Sequence, residues 1–296
     1  MKVFYSPDYV AAAESFDTTR KAAWIADSLS RHPIAGVDVV VPTSLTFEQI
    51  ATVHDPVYVK AIRRGEPRSL AESQGFKWDP GMWTAVTSSN GGAVAAACAA
   101  LTDGVAGSLS SGLHHAQHAT GAAYCTFNGL VLAAKRVLSQ GAKSVLILDL
   151  DAHCGGGTYS LFDSDNHSDP RIRQVDISVN ALDAYWANGN NRLDIVRHPE
   201  NYLPTIEERL AELESFTPDL CIYNAGMDPD DRCLVGGFRG IDAAMLKQRE
   251  QMVFSWTKRR GIPVAFVLAG GYAGGALSQD GLVDLHRLTI EAAANY

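Results

Sequence analysis

Apolar residues fall along the chain in two kinds of run. Short β-rich runs occur at 2–5 (KVFY), 37–41 (VDVVV), 144–149 (SVLILD), 172–179 (IRQVDISV), 218–223 (PDLCIY) and 263–268 (PVAFVL). Between them, helices are predicted near 17–31, 46–53, 79–102, 128–139, 204–215 and 241–260. In the second half strand and helix alternate, and the strands are almost continuously apolar, as strands buried on both faces must be. That pattern predicts an α/β fold, a parallel sheet with crossover helices on both faces. Segments 64–82 and 163–171 read as loops. With no internal repeat and no linker, residues 1–296 are expected to form one domain.

In an open parallel sheet, sites gather beyond the carboxyl ends of the strands. SVLILD runs into Asp149, Asp151 and His153, PDLCIY into NAGMD ending at Asp228, and PVAFVL into AGGY ending at Tyr272. Alternation in an extended segment puts Asp149, Asp151 and His153 on one side. One Asp and the His could therefore reach a common cation. Asp228 would add a third ligand and leave a position open for water, the mark of a catalytic zinc site. Taken singly, each piece has a plainer reading: a strand-end Asp is a cap or a turn former, and a lone Tyr in a Gly-rich loop packs. The joint case is stronger, because the candidates fall at the ends of one sheet. The loop SGLHHA adds adjacent His114 and His115, while His54 and His118 read as structural. Gly155–Gly157 and Gly270-Gly271 are either turns or places where backbone approaches a site closely. Neither group is a phosphate loop.

Composition narrows the classes. Hydrophobic content of 46% and charged content of 20% are ordinary for a soluble globular protein. A net charge of −8 argues against nucleic acid as partner but leaves a cationic substrate open. No apolar run reaches membrane-spanning length, and MKVFYSPDYV lacks the uninterrupted apolar core of a signal peptide. Five scattered cysteines without CxxC spacing read as reduced thiols, so a cytoplasmic protein is expected.

The chain as a whole resembles the histone deacetylase family, including its bacterial amidohydrolase and acetylpolyamine-deacetylase relatives. The resemblance is carried, in order, by FYSPDY, VHDPVYV at 53–59, GLHHA at 112–116, AYCTFNG at 123–129, LDLDAH at 148–153, ISV at 177–179, PDLCIYNAGMD at 218–228 and LAGGY at 268–272. It implies an arginase/deacetylase-like fold and a zinc-dependent amidohydrolase acting on acetyl-lysine, an acetylpolyamine or another small amide. It implies that Asp151, His153 and Asp228 hold one zinc per chain, that His114 and His115 are the catalytic pair, that Asp149 accepts a hydrogen bond from His114, and that Tyr272 polarises the scissile carbonyl. Tyr124 would wall the acyl-lysine tunnel, with Gly270 and Gly271 also at the substrate. A structural K+ would lie near Asp149 and Ser178. The residue types suit amide hydrolysis: a metal activates water and carbonyl, His115 moves the proton, His114 lends charge, and Tyr272 donates to the oxyanion.

The pattern breaks after His153. Cys154 replaces a second histidine that is not a ligand in the family, and Gly156 stands where His115 would find an Asp or Asn partner. His115 is thus expected to lack its usual orienter, unless another residue or a water replaces it. Val235 stands where polyamine-selective relatives carry an acidic gate, though Asp230 and Asp231 lie closer to Asp228 and could attract a cation. Two further readings remain: a two-metal, arginase-like ureohydrolase, and a non-catalytic binder of acylated ligands whose site has decayed at Gly156. The sequence leaves the oligomeric state open.

Overall fold

The computed structural model describes residues 1–12, 16–164 and 167–296, without the side chains of residues 18, 164, 167 and 168. The strands are β1 (Lys2–Phe4), β2 (Asp38–Val40), β3 (Val105–Ser108), β4 (Val145–Asp149), β5 (Asp163–Ser164), β6 (His167–Ser168), β7 (Ile172–Ser178), β8 (Arg192–Ile195), β9 (Leu220–Ala225) and β10 (Val264–Leu268). The helices are α1 (Asp17–Arg31), α2 (Phe47–Ile50), α3 (Pro56–Arg64), α4 (Arg68–Ala71), α5 (Gly81–Asp103), α6 (Gly129–Ser139), α7 (Gly156–Ser160), α8 (Tyr202–Glu212), α9 (Ala243–Arg260) and α10 (Gln279–Ala294). Eight strands form one sheet in the order β2-β1-β3-β10-β9-β4-β7-β8, parallel throughout. The short β5 and β6 pair apart from it, antiparallel.

The central strands feed two cores, one on each face. On β4, Leu146 and Leu148 join one core while Val145 and Ile147 join the other. On β9, Cys221 and Tyr223 alternate with Leu220 and Ile222 in the same way. The first core is completed by Ile25 of α1, Ile206 of α8, Val253 of α9 and Leu282 of α10. The second is completed by Ile62 of α3, Ala96 of α5 and Leu130 of α6. Helices on both faces are what continuously apolar strands require.

Some expected elements differ. The helix near 46–53 shrinks to α2, which starts in a capping box: Thr46 Oγ1 accepts from the Gln49 amide, and Gln49 Oε1 accepts from the Thr46 amide. The expected loop 64–82 contains α4, and residues 165–166 of the expected loop 163–171 lie outside the described residues. Strand β3 (VAGS) was not expected, because its residues are too small to advertise a strand. Gly107 is there because Phe266 of β10 lies over it, where a Cβ would overlap the ring.

Candidate active site

Sheet order decides what meets what. Strands β10, β9, β4 and β7 are neighbours, so the segments following their carboxyl ends converge. Asp149 closes β4 in register with Asn224 of β9 on one side and Asp176 of β7 on the other. Beyond it the chain carries Asp151 and His153, all three buried.

Asp151, His153 and Asp228 each present a ligand atom, and the three atoms lie within 4.8 Å of one another. His153 Nδ1 is 3.1 Å from Asp151 Oδ1 and 3.1 Å from Asp228 Oδ2. Backbone amides orient the carboxylates: Gly270 N–H donates to Asp151 Oδ2 (2.6 Å) and Ala152 N–H to Asp228 Oδ1 (3.0 Å). Asp228 Oδ2 is buried with no hydrogen-bond donor aligned on it among the described residues. Burial, together with the neighbouring Asp151 carboxylate, pushes Asp228 up to about 6. Two buried carboxylates, one imidazole nitrogen and an unsatisfied oxygen form a donor set that fits a divalent cation. Lys21 of α1 is fully buried nearby. Burial pulls it down to about 8, against the attraction of Asp151 and Asp228.

The two histidines have different surroundings. His114 Nδ1 lies 2.8 Å from Asp149 Oδ2, and its Nε2 lies 3.6 Å from Asp151 Oδ1. Burial would lower His114, but Asp149 and Asp151 outweigh it and push it up to about 10. His115 moves the other way: burial and the adjacent His114 pull it below the usual imidazole value. One ring therefore carries charge near neutral pH while its neighbour, 4.1 Å away between centroids, stays neutral.

His115 is not without a partner. Its Nδ1 lies 2.9 Å from Asp183 Oδ2, on the loop between β7 and β8. The expectation of a missing orienter is corrected in its second form: another residue replaces it.

Tyr272 follows β10. Burial, reinforced by Asp228 and Asp151, pushes its phenol well above the ordinary value, so it stays protonated. Its ring lies 5.0 Å from Phe16, which stacks on Tyr124 at 4.7 Å; Tyr124 in turn lies 5.0 Å from Phe76. Gly270 and Gly271 sit behind the candidate ligand cluster. A Cβ on Gly270 would overlap Asp228 Oδ2, and one on Gly271 would come 2.5 Å from His286 Nε2. Ser178 Oγ donates to Asp176 Oδ1 (2.7 Å), beside Asp149, and burial with the Asp149 charge holds Asp176 well above the carboxylate range. Asp230 is engaged by the Arg232 guanidinium at 2.8 and 2.9 Å, which neutralises it. Sequence reading missed Lys21, Phe16, Asn224 and Asp183. Asn224 stood within the quoted NAGMD, and Asp183 was only one polar residue in ALDAYWAN.

A family model described as histone deacetylase domain matches residues 15–283. The chain belongs to the histone deacetylase family. An uncharacterized protein of Picosynechococcus sp. is 31% identical over 230 residues, 75% of this chain and 74% of that one. Histone deacetylase 2 of Arabidopsis thaliana is 29% identical over 191 residues, 62% of this chain and 48% of that one. The chain thus spans about half the length of the Arabidopsis protein. Among solved structures, acetylpolyamine aminohydrolase from Burkholderia pseudomallei superposes with a TM-score of 0.77 at 19% identity, covering 99% of this chain and 98% of that one, which shows a shared fold. No helix among the described residues of this deacetylase-family chain is long and apolar enough to cross a membrane.

Proposed function

We propose that the chain is a zinc-dependent deacetylase, removing an acyl group, acetyl first, from the amine of a lysine side chain, a polyamine or another small amide. One observation carries the reading: beside a three-ligand cation site stand two adjacent imidazoles, each with its Nδ1 on its own carboxylate, His114 on Asp149 and His115 on Asp183, in surroundings that raise the first and lower the second. Environments that push neighbouring titratable groups apart assign acid and base.

Asp151, His153 and Asp228 would hold the cation, which when bound supplies Lewis acidity to a carbonyl and lowers the pKa of a water. His115 takes the proton of the attacking water on Nε2, since Nδ1 is engaged by Asp183. It returns that proton to the leaving amine. His114, paired with Asp149, keeps a positive charge beside the developing anion. Tyr272 donates its phenolic proton to the oxyanion as a hydrogen bond. Phe16, Tyr124 and Phe76 form a row of stacked and tilted rings that starts beside Tyr272, an apolar surface that suits a slender alkyl stem.

The ureohydrolase reading needs a second cation, and only one ligand cluster is found among the described residues. The decayed-site reading rested on an unpartnered His115, and Asp183 removes that ground. Asp230 is paired to Arg232, while Asp231 stays exposed and is the acidic side chain left there for a cation.

The test is a panel of acetyl-lysine peptides, acetylpolyamines and longer acyl amides, with metal content measured on the same sample. Wild type is expected to hydrolyse at least one class with one zinc per chain. Tyr272→Phe should keep its zinc and lose about 10²–10³ in kcat. A fully metallated wild type inert across the panel overturns the reading.

A further inference from the structure

We infer that Asp183 is the positioning residue of His115, and that Gly156 and Asp183 form an exchange pair: the carboxylate the motif lacks at 156 is delivered from the β7–β8 loop through the space that Gly156 leaves. This rests on the hydrolase reading only where it concerns rate.

Geometry ties the two positions. An ideal Cβ on Gly156 would overlap the Asp183 carbonyl oxygen and lie 2.6 Å from its Oδ1 and 2.8 Å from its Cγ. The three heavy atoms nearest that Cβ all belong to Asp183, so a side chain at 156 and Asp183 in its present place exclude one another. Asp183 Oδ2 is held from two sides, by His115 Nδ1 and by Gly157 N–H, each at 2.9 Å. The loop runs alongside the motif: Cys154 N–H donates to Leu182 O (3.0 Å), and Asn180 bridges to His153. Asp183 has φ +61°, a left-handed conformation that Asp and Asn tolerate better than most residues because their short polar side chains bond locally. A strained backbone position that aims a carboxylate at a catalytic imidazole is the kind of feature held for function.

A carboxylate on Nδ1 fixes the tautomer and leaves Nε2 free to accept. Without it His115 would divide between tautomers, and the fraction with Nε2 protonated could not take a proton.

Two readouts test this. The first is ¹⁵N NMR of selectively histidine-labelled protein without metal or substrate, the His115 signal being assigned by its loss in His115→Gln. Wild type should show Nδ1 protonated. Asp183→Gly removes the carboxylate without straining φ, and should shift His115 to a tautomer mixture. Asp183→Asn keeps an acceptor oxygen and should hold the tautomer. The second is kinetics: Asp183→Gly should lower kcat about 10- to 100-fold with KM little changed. Asp183→Asn should fall between it and wild type. Gly156→Ala, whose Cβ would overlap the Asp183 carbonyl oxygen and crowd its carboxylate, should displace Asp183 and reproduce both the tautomer mixture and the loss in kcat. An unchanged His115 tautomer in Asp183→Gly, or a folded Gly156→Ala variant that keeps the wild-type tautomer and kcat, overturns the inference. Because the NMR arm needs no turnover, it decides the Asp183 contact even if the panel above finds no hydrolysis.

Discussion

Asn224 of β9 donates from Nδ2 to Asp149 Oδ1 at 2.7 Å, across the register that pairs these two residues in the sheet. Asp149 in turn holds His114 through its other oxygen. Asn224 therefore fixes a carboxylate that fixes an imidazole, and all three are buried. Asn224→Ala leaves Asp149 Oδ1 with only the Asp151 amide, 3.2 Å away. Loss of such a supporting bond is expected to lower kcat about 10- to 100-fold while zinc binding persists. Steady-state kinetics with metal analysis on the same sample checks this; an unaltered kcat removes Asn224 from the support of the site.

The opposite shifts of the histidines fix a pH profile. His115 faces His114, Asp183 and Asp151, and burial with the His114 charge outweighs both carboxylates and lowers it. In the proposed mechanism its neutral form is the base, so kcat/KM is expected to fall as pH drops through this depressed pKa. The acidic limb is thus expected below about 6.5, the ordinary imidazole value. His114→Gln removes the like charge and should move that limb upward, along with its cost in rate. A limb that stays put in this variant would separate the limb from His115.

The hydrophobic pattern carried most of the sheet because β4, β7, β9 and β10 are buried on both faces and advertise it by continuous apolar sequence. It failed where packing rather than pattern decides. Strand β3 is built of small residues under Phe266, and α10 buries His286 and Thr289 among its apolar residues, which breaks its period. The candidate cation ligands and Tyr272 could be read because each follows a strand end. Asp183 could not, since it lies five residues into a turn-rich connection and its partner is 68 residues away. The sequence showed the hole at Gly156, and only the tertiary arrangement shows what fills it. Lys21 was hidden likewise: nothing in a helical period marks a lysine that will lie wholly buried beside two acidic ligands.

Gly270→Ala separates close approach from loop flexibility. The new Cβ would overlap Asp228 Oδ2 and lie 2.5 Å from Asp151 Oδ2, while the amide that serves Asp151 is retained. The two carboxylates must move apart. Overpacking of this kind costs about 1–3 kcal/mol, and zinc affinity should fall about 10- to 100-fold. Zinc titration against a competing chelator reads the affinity, and urea unfolding reads the stability. Full zinc affinity in the variant would show that the carboxylates have room to give.

His54 links the histidine loop to α6 without touching the chemistry. Its Nδ1 lies 2.8 Å from Gln117 O, and its Nε2 accepts the amide of Asn128, the N-cap of α6, at 2.9 Å. That amide fixes the ring as the neutral Nδ1–H tautomer, and burial lowers its pKa to about 4. The sign follows from linkage: the unfolded chain takes up a proton near pH 6.5, but the folded chain resists until about 4. Stability from this group is therefore complete above about 6.5 and is lost as pH falls toward 4, by up to about 3 kcal/mol. His54→Asn should cost about 1–3 kcal/mol at pH 7.5, since it breaks a buried pair of bonds, and the gap to wild type should narrow as pH approaches 4. Urea unfolding of both proteins from pH 7.5 to 4.5 measures this. Parallel stability curves would mean that protons taken up in that range go elsewhere, with the other lowered histidines, His115 and His286, the next to test.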